Sequence, residues 1–251
     1  MKKVLMLVMS LMVMVFSVGF APKADAAGVL KVATDANFPP FEYYVSHSNV
    51  HTGFDIDLMD AVAKEMGYDK VEFVNVDFKN ILPGLALKNY DAAIAGLAIT
   101  PERAKRVEFS EPYAKGGLKV AIPVQAVGAS GLDALRGRKV AGEAGSYGLD
   151  IAAKAGAAQV IAAASNEEAI QLVIDRKADC IIAEGLVLSF FITNGYGEQL
   201  KFADDATLNT VELGIAVAKG NTALVNKINQ ALHEVKRSGK YKEIYRLYFG
   251  A

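Results

Sequence analysis

The hydrophobic positions of this chain follow two periods in turn, one typical of strands and one typical of helices. Short apolar runs rich in β-branched residues predict strands at Val29–Thr34, Val71–Val76 and Ala92–Ala95. Between these runs, apolar side chains three and four residues apart predict helices at Asp55–Gly67 and Phe78–Lys88. Alternation of this kind favours an α/β fold with largely parallel sheets.

The same alternation continues through the second half of the chain. It predicts strand and helix pairs at 138–156, 158–176 and 178–194, and two further helices at about 221–238 and 240–248. The helix near residue 166 begins with Ser165 and Glu168, which are spaced as in a capping box. Ligands of α/β sheets bind at the carboxyl ends of the strands, so side chains that follow strands are the first candidates for a site.

Two glycine-containing, strand-like segments are the best candidates for domain boundaries, Tyr113–Pro123 and Glu212–Val217. If the chain crosses between two lobes at both segments, residues 28–114 and 213–251 form one lobe and residues 115–212 form the other. Two crossings make a hinge, and a hinge implies a cleft that closes on a ligand.

Residues 1–26 have a different pattern, with a basic start, an apolar run at Val4–Phe20 and a small-residue end. This layout is typical of a secretory signal peptide that is cleaved after Ala26. A transmembrane anchor is the alternative, but the apolar run is short and charged residues follow it. We therefore expect an exported, periplasmic protein without stable membrane insertion.

Composition narrows the function further. The 251-residue chain has a formal net charge of −1, and without residues 1–26 it loses three lysines and one aspartate, which makes the charge −3. This balance gives no electrostatic basis for binding nucleic acid. The single cysteine, Cys180, lies in a short apolar run and is predicted to be a buried thiol. His47, His51 and His233 are scattered, so we expect no metal site and no cofactor.

Five sequence blocks resemble the extracellular solute-binding proteins that deliver polar amino acids to ABC importers. The blocks are VATDANFPPFE at Val32–Glu42, GFDIDL at Gly53–Leu58, AGLAITPER at Ala95–Arg103, FSEPY at Phe109–Tyr113, and the segment Gly239–Gly250. The resemblance implies a two-lobed, type II periplasmic-binding-protein fold, with a largely parallel sheet in each lobe and the ligand cleft between the lobes. It also implies a monomeric receptor without catalytic activity, whose partners are a small amino acid and a membrane permease.

An α-amino acid presents a carboxylate, an ammonium group and a side chain, so its site needs a cation, an anion and a shaped pocket. Arg103 is the candidate for the carboxylate, because a guanidinium group binds a carboxylate through two parallel bonds. Thr100 and Pro101 are suited to begin the short helix that carries it. Gly96 permits close backbone approach and offers its carbonyl group to the ammonium. Glu184, at the end of a buried run, is the candidate anion, and a glutamate that merely begins a helix is the alternative.

The resemblance also implies roles for the remaining positions. Ser146 and Tyr147 lie in a Gly-Ser-Tyr-Gly loop between a strand and a helix, where backbone N–H groups would bind the ligand carboxylate from the second lobe. Phe38 and Phe78 would pack on the aliphatic part of the ligand, and Asp35 would contact its polar end.

Two positions depart from the family pattern, Glu143 and Ala98. Arg103 and Glu184 balance a zwitterion, so Asp35 and Glu143 leave up to two surplus negative charges, and a buried unpaired charge is costly. This count predicts a cationic ligand such as arginine, lysine or ornithine, while glutamine or another neutral polar amino acid stays open. Ala98 stands where relatives commonly have serine or threonine, so the backbone N–H is kept and the hydroxyl is lost.

Two other classes of protein stay open at this point. A dehydratase built on the same scaffold would use Glu184 or Glu143 as a proton donor, and it would consume its ligand. A sensory ligand-binding module is the third and weakest alternative.

Overall fold

The computed structural model describes residues 28–45, 48–127 and 130–250. The predicted signal peptide, residues 1–26, and His47 lie outside the described residues. The strands are β1 (Val29–Thr34), β2 (Asn37–Phe38), β3 (Glu42–Tyr44), β4 (His51–Thr52), β5 (Lys70–Asn75), β6 (Ala92–Ala93), β7 (Val107–Phe109), β8 (Ala114–Pro123), β9 (Lys139–Glu143), β10 (Gln159–Ala163), β11 (Cys180–Glu184), β12 (Leu200–Phe202), β13 (Leu208–Leu213) and β14 (Ala216–Ala218). The helices are α1 (Phe54–Glu65), α2 (Phe78–Ala86), α3 (Pro101–Ala104), α4 (Tyr147–Lys154), α5 (Asn166–Ile174), α6 (Gly185–Phe191), α7 (Thr222–Arg237) and α8 (Lys240–Phe249).

Two mixed sheets contain most of the strands. The first has the order β5-β1-β6-β14-β7, in which β1 runs parallel to β5 and β6, and β14 runs antiparallel to β6 and β7. The second has the order β10-β9-β11-β8-β12, and β13 also pairs with β8. Here β9 is parallel to β10 and β11, whereas β8 is antiparallel to β11, β12 and β13. The α/β prediction is confirmed. The sheets are mixed rather than largely parallel, because the strands next to the two connections between the sheets, β8 and β14, run antiparallel to their neighbours.

The chain passes from the first sheet to the second between β7 and β8, and it returns between β13 and β14. These two connections are hydrogen-bonded to each other. The Ser110 N–H donates to the Ile215 carbonyl at 2.8 Å, and the Ile215 N–H donates to Ser110 Oγ at 2.9 Å. The Tyr113 N–H donates to the Leu213 carbonyl at 2.9 Å. The two sheets are therefore joined by one paired, two-stranded connection.

Helix α1 packs between β5 of the first sheet and the helices α7 and α8. Its predicted apolar stripe is buried, since Leu58, Met59 and Val62 have no solvent-accessible surface. The helix ends at Glu65, and Gly67 just beyond it has a φ of 86°, a conformation that favours glycine. No helix within the described ranges has the length and apolarity needed to cross a membrane.

The second sheet has its own apolar core. Cys180 on β11 is fully buried, its Sγ lies 3.7 Å from the Ala134 carbonyl oxygen, and burial raises its pKa to about 12. The prediction of a buried, inert thiol is thereby confirmed. At the start of α5, Ser165 Oγ accepts the Glu168 N–H, and Glu168 Oε2 accepts the N–H of Ala164. The predicted capping box is present, with its return bond shifted by one residue.

Candidate functional site

One cleft, partly open to solvent, encloses about 530 Å³ and is lined by residues that follow strands of both sheets. Nine of the ten predicted site residues line it, namely Phe38, Phe78, Gly96, Ala98, Arg103, Glu143, Ser146, Tyr147 and Glu184. The exception is Asp35. The structure thus brings together residues that lie more than a hundred positions apart in the chain, and each part of this lining has its own chemistry.

Arg103 reaches across the cleft from the first sheet to the second. Thr100 caps α3, because its Oγ1 accepts the Arg103 N–H at 3.2 Å. The guanidinium group donates from Nη1 to the Ala98 carbonyl at 3.0 Å and from Nη2 to the Gly145 carbonyl at 3.1 Å. Its Cζ lies 5.3 Å from the centre of the Phe78 ring. Burial lowers the Arg103 pKa to about 10, so the group stays cationic at neutral pH and can bind an anion in the cleft.

Glu184 ends β11 and caps α6 with its own side chain. Its Oε2 accepts the N–H groups of Leu186 and Val187 at 2.6 and 3.2 Å, and its Oε1 accepts the Gly117 N–H at 3.1 Å. Burial raises the pKa of this carboxyl, and the backbone N–H donors oppose that shift. A carboxylate can accept about four hydrogen bonds, so one acceptor position of Oε1 remains for a ligand cation. Glu184 therefore caps the start of α6, and its remaining acceptor position still allows the predicted contact with a ligand ammonium group.

The loop between β9 and α4 forms another part of the lining. Gly145 has a φ of 82°, and a side chain there would come within 3.2 Å of the Lys79 Cα, so the loop packs closely on α2. Ser146 is the N-cap of α4, and its Oγ is buried without a hydrogen-bond partner. Tyr147 is the first helical residue and also lines the cleft. An unpartnered hydroxyl at a helix N-terminus provides donors suited to a carboxylate.

Ala98 and Gly96 contribute backbone groups rather than side chains. Ala98 forms an isolated antiparallel bridge with Leu213, flanked by hydrogen bonds of the neighbouring residues, so its own N–H and carbonyl point away from Leu213. Gly96 has a φ of 52°, and a side chain there would overlap the Phe38 ring. Glycine is needed at this position because the backbone and an aromatic ring approach so closely.

The structure does not bring Asp35 into the cleft lining. Its Oδ1 accepts a hydrogen bond from Asn37 Nδ2 at 2.8 Å, and its Oδ2 accepts the Phe78 N–H at 2.7 Å. Burial raises the Asp35 pKa, and these two bonds oppose the shift. A buried carboxylate needs donors, and the first turn of α2 supplies one. Asp35 therefore fixes the position of Phe78, and it lies behind the lining rather than in it.

Glu143 is the most unusual side chain in the cleft. It ends β9, is only 4% exposed, and its Oε1 has no hydrogen-bond partner. Burial raises its pKa to about 8, the Asp35 charge adds to this effect, and the polar side chain of the nearby Asn166 opposes it. Asn166 is itself buried in the lining, and its Nδ2 has no partner. Both groups thus present unused hydrogen-bonding capacity to the cleft.

A second acidic pair lies directly behind the cleft. Glu42 and Asp55 are fully buried, and burial raises the pKa of both carboxyl groups. The charge of the neighbouring Asp55 raises the Glu42 pKa further. Asp55 Oδ2 also accepts the Gly96 N–H at 2.9 Å and the Tyr113 hydroxyl at 2.7 Å. Asp55 therefore connects the cleft wall at Gly96 to Tyr113, at the end of the connection from β7 to β8. Within the part of the chain that the structure describes, no three potential metal ligands converge.

Sequence reasoning missed part of the lining, namely Asn166 and the apolar or small residues Gly117, Leu118, Ala183, Val211 and Leu213. Asn166 follows the carboxyl end of β10, so the rule that ligands bind at the carboxyl ends of strands could have identified it. The residues of β8 and β13 gave no such signal, because they enter the lining through an antiparallel pairing of strands that are about ninety residues apart.

Comparison with known proteins places this arrangement in a family. Residues 30–251 match the model of the bacterial extracellular solute-binding proteins, family 3. A probable histidine-binding protein of Neisseria gonorrhoeae is 32% identical over 233 residues, which covers 91% of this chain and 86% of that protein. A putative ABC transporter arginine-binding protein of Escherichia coli (strain K12) is 32% identical over 241 residues, covering 92% of this chain and 95% of that protein.

Among solved structures, an ancestral arginine-binding protein bound to glutamine superposes with a TM-score of 0.84 at 36% identity, covering 89% of this chain and 99% of that one. This likeness confirms the predicted two-lobed, type II periplasmic-binding-protein fold with the cleft between the lobes. The match to the family model spans nearly all the described residues. The chain therefore belongs to the bacterial extracellular solute-binding proteins, family 3.

Proposed function

We propose that this protein is a receptor that captures an amino acid, preferably one with a cationic side chain, and delivers it unchanged to an ABC importer. The observation that carries this proposal is the placement of Arg103 and Glu184 on one cleft between two sheets. One supplies a cation with a planar fork, and the other supplies an anion with a free acceptor position. This pair matches the two ends of a zwitterion.

The binding mode follows from the donors and acceptors around the cleft. The ligand carboxylate would bind the Arg103 guanidinium, the Ala98 N–H, and the Ser146 hydroxyl with the first turn of α4. The ammonium would bind Glu184 Oε1 and the Gly96 carbonyl. The ligand side chain would then pack between Phe38 and Phe78, with its far end directed toward Glu143, which lines the same cleft.

Electrostatics favours a cation at that far end. Glu143 has an unpartnered oxygen, and Asp35 behind the lining adds negative potential. A ligand cation would supply the missing counter-charge, whereas an acidic ligand would add to the repulsion. Relatives named for arginine and histidine support this choice, and the glutamine held by the ancestral protein keeps neutral polar amino acids as the alternative.

We further propose that residues 28–114 with 213–251 form one lobe, that residues 115–212 form the other, and that the paired connection is the hinge. The division of strands between two sheets supports these boundaries. The ligand would draw the lobes together, and the membrane permease would recognise the closed form of the monomer. Export to the periplasm is supported by the extracellular family and by the pattern of residues 1–26, which is typical of a signal peptide.

A thermal-melt panel tests the function. After unfolding and refolding to remove bound ligand, arginine, lysine or ornithine at 100 times its Kd should stabilise the protein by about 2.7 kcal/mol. For a chain of this size that is a rise of roughly 5–11 °C in Tm. Agmatine, which is arginine without its carboxylate, should give a much smaller rise. Mass spectrometry should recover the amino acid unchanged, and its conversion to a product would favour the dehydratase alternative.

The missing hydroxyl at Ala98 gives a prediction of its own. Ala98→Ser should tighten amino-acid binding by about 0.5–1.5 kcal/mol, a factor of roughly two to ten in Kd, because the added hydroxyl can donate to the ligand carboxylate. Isothermal titration with arginine measures this change, and agmatine is the matched ligand whose affinity should stay constant. An equal gain for agmatine would show that the hydroxyl acts elsewhere.

A further inference from the structure

Glu143 is placed where a ligand cation would have to meet it, and this inference rests on the proposed function. The residue is only 4% exposed and ends a strand at the cleft, and its Oε1 has no hydrogen-bond partner. A buried carboxylate without a counter-ion is unstable, so such a group holds a proton until a cation arrives.

The groups around Glu143 strengthen this argument, because most of them are acidic or neutral. Asp35 acts on it from the first sheet, and Glu42 lies near enough to be affected by its charge. Asn166 of α5 is a neutral polar neighbour whose side chain partly opposes the effect of burial on the Glu143 pKa. The other titratable groups of the lining are Tyr147 on α4, Glu184 after β11, and Arg103, whose Nη atoms are engaged by the Ala98 and Gly145 carbonyls.

We propose that Glu143 is the specificity-determining residue for the ligand side chain and that it releases its proton to solvent when a cationic side chain binds. The guanidinium or ammonium group of the ligand replaces the proton as the partner of Oε1. A neutral side chain of the same length leaves the proton on Glu143 and bonds to a carboxyl rather than to a carboxylate. Capture of a cation and release of a proton are then one event.

The direction of the pH dependence follows by linkage. The Glu143 pKa is raised to about 8 by burial and by Asp35, so the carboxyl is mostly protonated at pH 7. Ligand cations bind the ionised form, so their affinity should rise with pH up to about pH 8 and then level off. Below that value the limiting slope is about tenfold per pH unit. Glu184 and Arg103 meet the same α-amino and α-carboxylate groups in every amino acid, so they do not contribute to a difference between ligands.

Arginine and its neutral isostere citrulline provide the test. Isothermal titration at pH 7 in two buffers of different ionisation enthalpy counts the protons exchanged, and titrations at pH 6, 7 and 8 give the slope. Arginine should release nearly one proton more than citrulline, and its Kd should fall by about tenfold from pH 6 to pH 7. The Kd of citrulline should change by less than about threefold over the same range.

Two variants complete the experiment. Glu143→Gln should remove the extra proton and flatten the pH profile for arginine, while it narrows the preference for arginine over citrulline. Glu198→Gln makes the same change at an exposed glutamate of the second half and should behave as wild type. Equal proton release with arginine and citrulline, or an unchanged arginine slope in Glu143→Gln, overturns the inference and leaves the receptor intact. Failure of every amino acid to bind at any pH overturns the proposed function as well.

Discussion

Arg103→Ala should weaken binding of the amino acid by about 2–5 kcal/mol, a loss of roughly 30-fold to 4,000-fold in Kd. The substitution leaves the ligand carboxylate without its cation in a cleft that is only partly open to solvent. It also removes the bonds from Nη1 to Ala98 and from Nη2 to Gly145, the second of which joins the two sides of the cleft. Titration calorimetry with the preferred amino acid measures the loss.

Two controls separate recognition of the carboxylate from a general disturbance. Arg106→Ala removes an exposed arginine three residues further on and should leave the Kd unchanged. Agmatine should bind wild type and Arg103→Ala with similar, weak affinity, because it has no carboxylate to lose. Arg103→Lys should lie between wild type and Arg103→Ala, since it keeps the charge but not the planar fork. If Arg103→Ala binds the amino acid within threefold of wild type, the assignment of the carboxylate site is wrong.

Glu184→Gln should also weaken binding, by about 2–3 kcal/mol or roughly 30-fold to 150-fold in Kd. The amide oxygen can still accept N–H bonds at the start of α6, so the cap is largely kept. The negative charge that meets the ligand ammonium is lost. Arginine and 5-guanidinovaleric acid, which is arginine without its α-amino group, are each titrated into wild type and Glu184→Gln. The comparison isolates the contribution of the ammonium contact, because 5-guanidinovaleric acid should bind the two proteins with equal affinity.

The dual role of Glu184 calls for a stability measurement beside the binding one. Glu184→Ala removes the bonds to Leu186, Val187 and Gly117 and should lower the free energy of unfolding of the ligand-free protein by about 1 kcal/mol or more, whereas Glu184→Gln should lower it far less. Urea denaturation provides this value. Equal losses of affinity for arginine and for 5-guanidinovaleric acid would mean that Glu184 only shapes the helix.

Local elements were predictable because their information is local. Val29–Thr34 was predicted with the bounds that the structure has, and the helix predicted at Asp55–Gly67 spans Phe54–Glu65. Thr100 and Pro101 begin α3 as expected, since a side-chain cap and a missing N–H act within one turn. Glu184 could be placed at the site because it stands at the end of a strand, whereas the resemblance to the family implied the roles of Phe38 and Phe78.

The features of the fold and of the site that could not be predicted depend on contacts between segments that are distant in the chain. The antiparallel pairing of β8 and β13 places Gly117 and Val211 in the cleft lining, and no local sequence pattern predicts this pairing. The position of Asp35 depended on which donors the fold would bring near, and the Phe78 N–H proved to be one of them. The buried pair of Glu42 and Asp55 was equally hidden, because only the fold brings together two carboxyl groups that lie thirteen residues apart in the chain.

The paired connection between the sheets has a mechanical consequence. Ser110, Tyr113, Leu213 and Ile215 exchange backbone and hydroxyl hydrogen bonds across it, so sliding one segment past the other would break them, whereas bending both together keeps them. We therefore expect the two sheets to move relative to each other mainly by bending of both segments together. The residues of this proposed hinge are separate from Arg103, Glu143 and Glu184. We therefore expect substitutions in the cleft to change the preferred ligand without changing how the lobes close.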